Sequence, residues 1–317
     1  MADIPRPTFP GTTRRGDLTW LVALAAALWG TDSLLRVPLV SQLPTPLIVV
    51  VEHLVCLVVL VPLLPRAIRG FLRLTRRQKI AILLIGAGAS ALATNLFTLA
   101  FTYGDAITPQ VLQKLQPLIA IGLAGLVLGE RLHRRYLWFA VPALVGAWLL
   151  TFADPFRVGV DGVRVALLSI GAAALWAGGT VAGRLVAADL DPTSVTVLRY
   201  AIGFPAAVVI ALATGTSWHV AGGDILPLIA LALIPGLISL LLYYRGLRRT
   251  PASRATLAEL AFPLTAALVG VFALGTRFTT TQWVGVALVV AAVTALGIHE
   301  RTSAAPAVVP QLAPATD

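Results

Sequence analysis

Residues 46–64 read PLIVVVEHLVCLVVLVPLL, an apolar run in which Glu52 and His53 are the only strongly polar side chains. A helix of about 20 such residues matches the roughly 30 Å of hydrocarbon in a bilayer. The whole chain agrees with this run, because 58% of its 317 residues are hydrophobic, 12% are charged and its mean hydropathy is +0.88. Ordinary soluble domains carry about 25% charged residues. The composition therefore excludes an ordinary soluble protein and indicates a helical membrane protein.

Further apolar windows of similar length lie along the chain. They are too long and too uniformly apolar for the strands of a membrane barrel, so we predict an all-α integral membrane protein with ten transmembrane helices. The windows are 18–36, 46–64, 80–103, 107–128, 135–153, 163–187, 193–214, 224–244, 254–275 and 281–299. The predicted organisation is a cytoplasmic N-terminal segment (1–17), a first five-helix repeat (18–153), an external linker (154–162), a second five-helix repeat (163–299) and a disordered cytoplasmic tail (300–317).

The two halves align with each other. A shift of 147 residues places Ala27-Leu28-Trp29 over Ala174-Leu175-Trp176, and a shift of 146 places Pro117 over Pro263. Because each half has an odd number of helices, the second half must enter the membrane in the opposite direction. We therefore expect two inverted repeats, with the substrate site at their interface.

The basic residues predict the orientation of the chain. Of the 24 lysines and arginines, Lys114 and Arg199 lie in the interior of windows and the others lie at window ends or between windows. With both termini inside, only Arg36, Arg157, Arg164 and Arg277 fall outside, as the positive-inside rule requires. This explains the net charge of +10 without a nucleic-acid partner, and an Arg- and Ala-rich, Lys-poor composition fits a multi-pass protein of a bacterial inner (plasma) membrane.

Several short motifs carry a family resemblance. They are Leu28-Trp29-Gly30, Pro117 followed by Leu128-Gly129-Glu130-Arg131, and Leu198-Arg199-Tyr200. In these motifs the chain resembles the EamA-type transporters of the drug/metabolite transporter (DMT) superfamily. The resemblance implies a membrane carrier, often an exporter, of amino acids, related metabolites or amphipathic drugs. The chain departs from the family pattern at Glu52-His53 and at Thr276, which leaves the substrate class and the coupling open.

Ionisable side chains inside the windows are the candidate site. Each costs about 2.5 to 3.5 kcal/mol at the centre of a membrane helix and therefore needs a partner, a wet cavity or a function. Glu52 overlies Arg199 in the repeat, which predicts an ion pair across the interface between the halves, whereas Arg36 is expected only to reach the outer headgroups. The predicted substrate-binding or coupling residues are Asp32, Glu52, His53, Gln110, Gln113, Lys114, Arg199, Tyr200 and Glu259.

Helical spacing adds further candidates. Gln110, Gln113, Lys114 and Pro117 lie at i, i+3, i+4 and i+7 and form one polar stripe. Trp29, Trp176 and Tyr243 are candidate cavity-lining aromatics, and Pro117 and Pro263 are candidate hinges. The alternatives are structural ion pairs for the charged residues and ordinary helix packing for the aromatics. For Thr94, Asn95, Thr98 and Thr102 we expect ordinary helix packing.

These residues predict a secondary transporter that works by alternating access. The chain has no P-loop, so we expect an ion gradient to drive transport, with proton antiport through Glu52 or Glu259. Lys114 and Arg199 would then attract a carboxylate or balance the acids. The expected partners are a small-molecule substrate, protons and the bilayer, with no cofactor, metal or catalytic residue; the oligomeric state is left open. The alternatives are an uncoupled facilitator, or an intramembrane lipid-modifying enzyme that uses His53 with Glu52.

Overall fold

The computed structural model is helical throughout the part of the chain that it describes. No strand occurs within those residues, which agrees with the predicted fold class. The predicted N-terminal segment, Glu130 and Arg131 lie outside them, as does the tail beyond residue 303. The described residues are 18–128, 137–152, 154–157, 159–247, 250 and 258–303.

We number the helices α1 to α10 and join helical segments that follow one another directly. The first half contains α1 (Thr19–Val40), α2 (Thr45–Arg73), α3 (Arg76–Ala100), α4 (Thr108–Leu112, a 3₁₀ turn at Gln113–Leu115, then Gln116–Leu128) and α5 (Leu137–Thr151). The second half contains α6 (Val160–Val186), α7 (Pro192–Ala213), α8 (Gly222–Tyr243, continuing to Leu247), α9 (Ala261–Ala273) and α10 (Thr280–Ser303).

Seven helices of the described chain are long enough and apolar enough to cross a membrane: α1, α2, α3, α6, α7, α8 and α10. Two others, α5 and α9, are shorter apolar helices, and α4 is interrupted by its 3₁₀ turn. The chain is therefore a multi-pass membrane protein, whereas ten spans stay a prediction. The turn in α4 has a local cause, because Pro117 lacks the N–H that an α-helix would use to bond the Gln113 carbonyl, and the Gln116 N–H bonds it instead.

Each half packs mainly against the other half. Helix α1 lies against α8 and α9, and α6 lies correspondingly against α3 and α4; α2 packs on α7, and α5 on α10. If the two halves are exchanged, the contacts of α1 with α8 and α9 become those of α6 with α3 and α4. The α2–α7 and α5–α10 contacts stay the same. The helices are thus interleaved, and the space between them is lined by both halves.

Three described helices contain wider π-helical segments: α9 has one at Val269–Ala273, and α3 and α8 have two that lie at equivalent positions. In α3 the segment is Leu84–Leu92, and in α8 it is Ala232–Ile238. The repeat offset of 147 residues places the first over residues 231–239. Pro235 within the second segment cannot donate a helical hydrogen bond, which favours such a distortion. Segments of this kind often occur at functional sites, and both of these border the central cavity described below.

The α2–α3 and α6–α7 connections meet at one end of the bundle. Nη2 of Arg66 lies 3.2 Å from a carboxylate oxygen of Asp191, which begins α7. The Ser194 hydroxyl and N–H donate to the same carboxylate, at 2.7 and 3.0 Å, and these hydrogen bonds hold the pKa of Asp191 below its ordinary value of 3.8. The prediction places this end in the cytoplasm.

Candidate functional site

A cavity of about 290 Å³ lies at the centre of the bundle. Residues of α1 to α4 line it from the first half, and residues of α6 to α9 from the second. Its polar lining comprises Asp32, Arg36, Glu52, His53, Ser90, Thr94, Gln113, Lys114, Gln116, Arg199 and Tyr200. Trp29, Phe97, Trp176 and Phe262 add aromatic surface. The cavity therefore combines charged groups with flat apolar walls.

Arg36 is the centre of the most extensive polar cluster. Its Nε and Nη2 donate to the two carboxylate oxygens of Asp32 at 2.7 and 2.8 Å. Nη2 and Nη1 donate to the two oxygens of Glu52 at 2.9 and 3.1 Å, and Nη1 also donates to the Thr98 hydroxyl at 2.7 Å. All five N–H groups of the guanidinium are thus used, and α1, α2 and α3 are joined.

This cluster corrects two of the sequence predictions. Arg36 is only 3% exposed, so it is not an outer residue that reaches the headgroups. Glu52 pairs with Arg36 of its own half rather than with Arg199 across the repeat, because equivalent positions of a repeat touch only where they meet on the symmetry axis. Thr98, for which ordinary helix packing was expected, accepts from the buried guanidinium and donates to the Thr94 carbonyl. In the sequence, the spacing of four residues between Asp32 and Arg36 was the feature that indicated part of this cluster.

A second hydrogen-bond network links α2, α3 and α7. The Nδ1 atom of His53 lies 2.8 Å from the Val49 carbonyl, which can only accept, so Nδ1 carries the proton. In the neutral ring Nε2 then accepts from the Ser90 hydroxyl at 2.9 Å. Ser90 Oγ in turn accepts from Nε of Arg199 at 3.0 Å. Ser90, which sequence analysis did not single out, therefore connects two predicted site residues.

Lys114 and Glu259 lie close to a second, smaller cavity. This space of about 140 Å³ is lined by Lys114, Glu259 and the two candidate hinges, Pro117 and Pro263. The Lys114 ammonium lies 4.1 Å from the centre of the Phe262 ring. The carboxylate of Glu259 interacts electrostatically with this ammonium. Lys114 also lines the central cavity, whereas Glu259 does not. The lysine thus stands between the two spaces.

The remaining candidates occupy different surroundings. Gln113 lines the central cavity, but Gln110 is fully buried elsewhere and donates to the Ala106 carbonyl at 3.2 Å. Tyr200 lines the cavity with its ring 5.5 Å from that of His53. Tyr243 lies behind Trp29, with the ring centres 5.0 Å apart, and its hydroxyl donates to Glu259 at 2.6 Å.

A larger space of about 460 Å³ extends the central cavity toward one end of the bundle. It shares Gln116, Trp176, Arg199 and Leu240 with that cavity. From there it follows α3, α6 and α7 to Ala187, Leu190 and Pro192 at the α6–α7 turn. We call this space the vestibule. Arg199 and Trp176 stand where the vestibule meets the cavity.

Comparison with known proteins supports a transport role. The model of the EamA-like transporter family matches residues 18–152 and again residues 163–298. The riboflavin transporter ImpX of Fusobacterium nucleatum is 31% identical over 258 residues, which cover 77% of this chain and 85% of that protein. The uncharacterized inner membrane transporter YicL of Salmonella typhimurium is 26% identical over 303 residues, which cover 93% and 99%.

A solved crystal structure has the same fold. It superposes with a TM-score of 0.60 at 21% sequence identity, over 90% of this chain and 98% of that one. The family match, which occurs once in each half, confirms the resemblance that the short motifs indicated.

Proposed function

Because this chain belongs to the EamA-like transporter family and is thus a membrane transporter rather than an enzyme, we propose that it is a secondary carrier working by alternating access. The observation that carries the proposal is the central cavity, which is lined by helices of both halves. In this proposal residues 18–153 and 163–299 form two inverted five-helix repeats with ten spans. A motion of one half against the other would then expose the cavity at alternate ends.

The surroundings of the cavity support one direction of access. The vestibule leads to the α6–α7 turn, which lies on the cytoplasmic side in the proposed orientation, with both termini inside. Toward the opposite end, the hydrogen bonds of Arg36 join α1, α2 and α3. We assign this conformation to the inward-facing state. Outward opening would require the helices around the Arg36 cluster to separate from those of the second half.

We further propose that the carrier exports its substrate in exchange for protons. Glu52 supports this role because it lines the cavity and is bonded to a guanidinium, so that protonation would weaken a charge-assisted contact. Glu259 is the second candidate, beside Lys114. Amino acids, related metabolites and amphipathic drugs are the expected substrates, and the named function of ImpX adds riboflavin to that set.

The test is reconstitution of the full chain in liposomes that contain a pH-sensitive dye. Amino acids, amines, cationic drugs and riboflavin are added in turn while proton movement and substrate uptake are recorded. We expect substrate-dependent proton flux that is lost in Glu52→Gln or in Glu259→Gln. Asp161→Asn is the matched control, because Asp161 is an exposed acid in the first turn of α6 and accepts from Arg164 at 3.1 Å.

The outcomes separate the candidate functions. Substrate that equilibrates without proton movement would establish the uncoupled facilitator instead of the antiporter. Proton flux that persists unchanged in both glutamine variants would refute the assignment of the coupling residues. Absence of movement of any tested compound would count against transport of these substrate classes.

A further inference from the structure

Arg199 differs from Arg36 in the charge of its partners. Its Nε donates to the Ser90 hydroxyl at 3.0 Å and its Nη2 to the Ala89 carbonyl at 3.3 Å. Both acceptors are neutral, and Nη1 makes no hydrogen bond within the described chain. No carboxylate oxygen there lies within 4 Å of its guanidinium, whereas two carboxylates surround Arg36. Among the residues that the structure describes, Arg199 is thus an intramembrane cation without a counter-ion.

The arrangement around Arg199 holds the guanidinium in place. Ser90 uses its own proton for His53 Nε2, so its oxygen is left to accept from Arg199 Nε. His53 is in turn fixed by the Val49 carbonyl. A charged group held at a cavity wall, with donors to spare, is pre-organised to receive an anion, because little side-chain entropy is lost on binding.

The acids of the cavity do not compete for this position. Asp32 and Glu52 are both bonded to Arg36, and Glu259 faces the smaller cavity, where Tyr243 donates to it. The sequence left open whether Lys114 and Arg199 balance the acids or attract a carboxylate. For Arg199 the geometry favours the second role. Lys114 interacts electrostatically with Glu259 and lies over the Phe262 ring, so we assign it the smaller part in binding the carboxylate.

An aromatic surface lies next to Arg199. Trp176 lines both the central cavity and the vestibule, as Arg199 does. Its ring meets Phe97 edge-on, with centroids 5.4 Å apart, so its position is fixed by packing. Trp29 and Phe262 line the same cavity. Flat apolar rings of a ligand stack favourably on such walls.

We propose that the central cavity selects a net-anionic substrate that carries a carboxylate and an aromatic ring, with Arg199 as the counter-ion of the carboxylate and Trp176 beside the ring. The inference rests on the carrier function proposed above and specifies the substrate class of the same cavity. Cationic amphiphiles are excluded by it, although the family resemblance would admit them. Such a substrate supplies the negative charge that the described part of the chain does not provide at Arg199.

The experiment is calorimetric titration of the purified full chain in detergent with three probes that share a phenyl ring on a short chain and carry an anionic, a neutral or a cationic end group. The probes are 3-phenylpropanoate, 3-phenylpropanamide and 3-phenylpropylamine. We expect the carboxylate to bind about tenfold more tightly than the amide, since a charge-assisted contact is roughly twice as strong as a neutral one, and the amine not to bind.

Variants assign the preference to its residue. Arg199→Gln should reduce the ratio of carboxylate to amide affinity to near one, and Arg199→Lys should retain part of it. Lys114→Gln should reduce it less. Arg164→Gln, which removes an exposed arginine outside the cavity, is the control and should leave the ratio unchanged. The lysine variant also guards against misfolding, because it keeps the charge.

Three results would overturn the proposal: equal affinity for the carboxylate and the amide, a ratio unchanged in Arg199→Gln, or no binding of any probe at millimolar concentration. Liposome flux of the same probes separates this inference from the carrier function. Selective binding of the carboxylate without flux would refute the carrier and keep the anion site. Flux of the amine or amide in preference to the carboxylate would refute the anion site and keep the carrier.

Discussion

Every N–H group of the Arg36 guanidinium donates to an acceptor of the protein itself. Two carboxylates and one hydroxyl occupy its five N–H groups, and the residue is 3% exposed. In a medium of low dielectric constant, each of the two acids depends on this single cation. We therefore regard Arg36 as a stabilising residue, in contrast to Arg199.

Removal of the Arg36 charge should destabilise the protein strongly. Breaking a buried ion pair by deleting one partner costs about 3 to 5 kcal/mol, so we expect Arg36→Gln to lower the free energy of unfolding in detergent by about that amount. The exposed pair of Arg164 with Asp161 is the control, and Arg164→Gln should cost less than about 1 kcal/mol. Equal losses in the two variants would contradict the structural role of Arg36.

The sequence predicted which charged residues line the cavity but not which residues they contact. The cost of charge in a membrane identified Asp32, Glu52, His53 and Lys114, all of which line the cavity. The partners of a charge were not predictable in this way, because they come from other helices. Thr98 reaches Arg36 from α3 over a separation of 62 residues along the chain, and no local spacing encodes such a contact.

At the scale of elements, α5 and α10 approach each other through glycine. A Cβ added at Gly146 would lie 2.9 Å from the Gly285 carbonyl oxygen and 2.9 Å from the Val289 nitrogen. A Cβ at Gly285 would lie 2.5 Å from the Leu150 nitrogen. Since these neighbours are backbone atoms, they cannot rotate away. The small residues therefore set the distance between the two helices.

Alanine at either glycine should force α5 and α10 apart. We expect Gly146→Ala and Gly285→Ala each to lower the free energy of unfolding by about 1 to 3 kcal/mol, as overpacking does. Gly178→Ala in α6 is the control, because a Cβ there meets nothing within 4 Å, and the better helix propensity of alanine should leave stability equal or slightly higher. Thermal unfolding of the purified variants would decide; similar midpoints for all three would contradict the close approach.

The long apolar windows located the helices well, because a run of about twenty apolar residues can satisfy its backbone hydrogen bonds within a bilayer by forming a helix. The windows 163–187 and 193–214, for example, become α6 at Val160–Val186 and α7 at Pro192–Ala213. The π-helical segments were not predictable, since Leu84–Leu92 contains no proline. The hinge role of Pro117 and Pro263 stays a prediction, although both border the small cavity.

For the whole molecule, the vestibule predicts a sided pattern of chemical labelling. In a Cys56→Ala background, which removes the single cysteine, Thr180→Cys places a thiol in the vestibule and Thr102→Cys places one in the turn after α3. We expect a membrane-impermeant maleimide to label Thr102→Cys in intact cells and Thr180→Cys only in inside-out vesicles. The buried Leu39→Cys, at a residue 1% exposed, should react in neither.

The reverse labelling pattern would show that the orientation derived from the arginines is wrong. Labelling of Thr180→Cys from both sides would instead indicate that the protein spends much of its time in a conformation open at the other end. Addition of a transported substrate should then change the ratio of the two rates, because a ligand shifts the equilibrium toward the state that binds it better.

The π-helical segments of α3 and α8 also bear on the ancestry of the chain. A π-helical turn carries more residues than an α-helical turn, and insertion of one residue into a helix produces such a surplus. The same family model matches both halves, and the two segments occupy equivalent positions within them. A single insertion in an ancestral half-length gene, before that gene was duplicated and fused, would account for both, whereas the segment Val269–Ala273 of α9 has no π-helical counterpart in α4. Half-length relatives that never fused should therefore carry the surplus residue in their third helix.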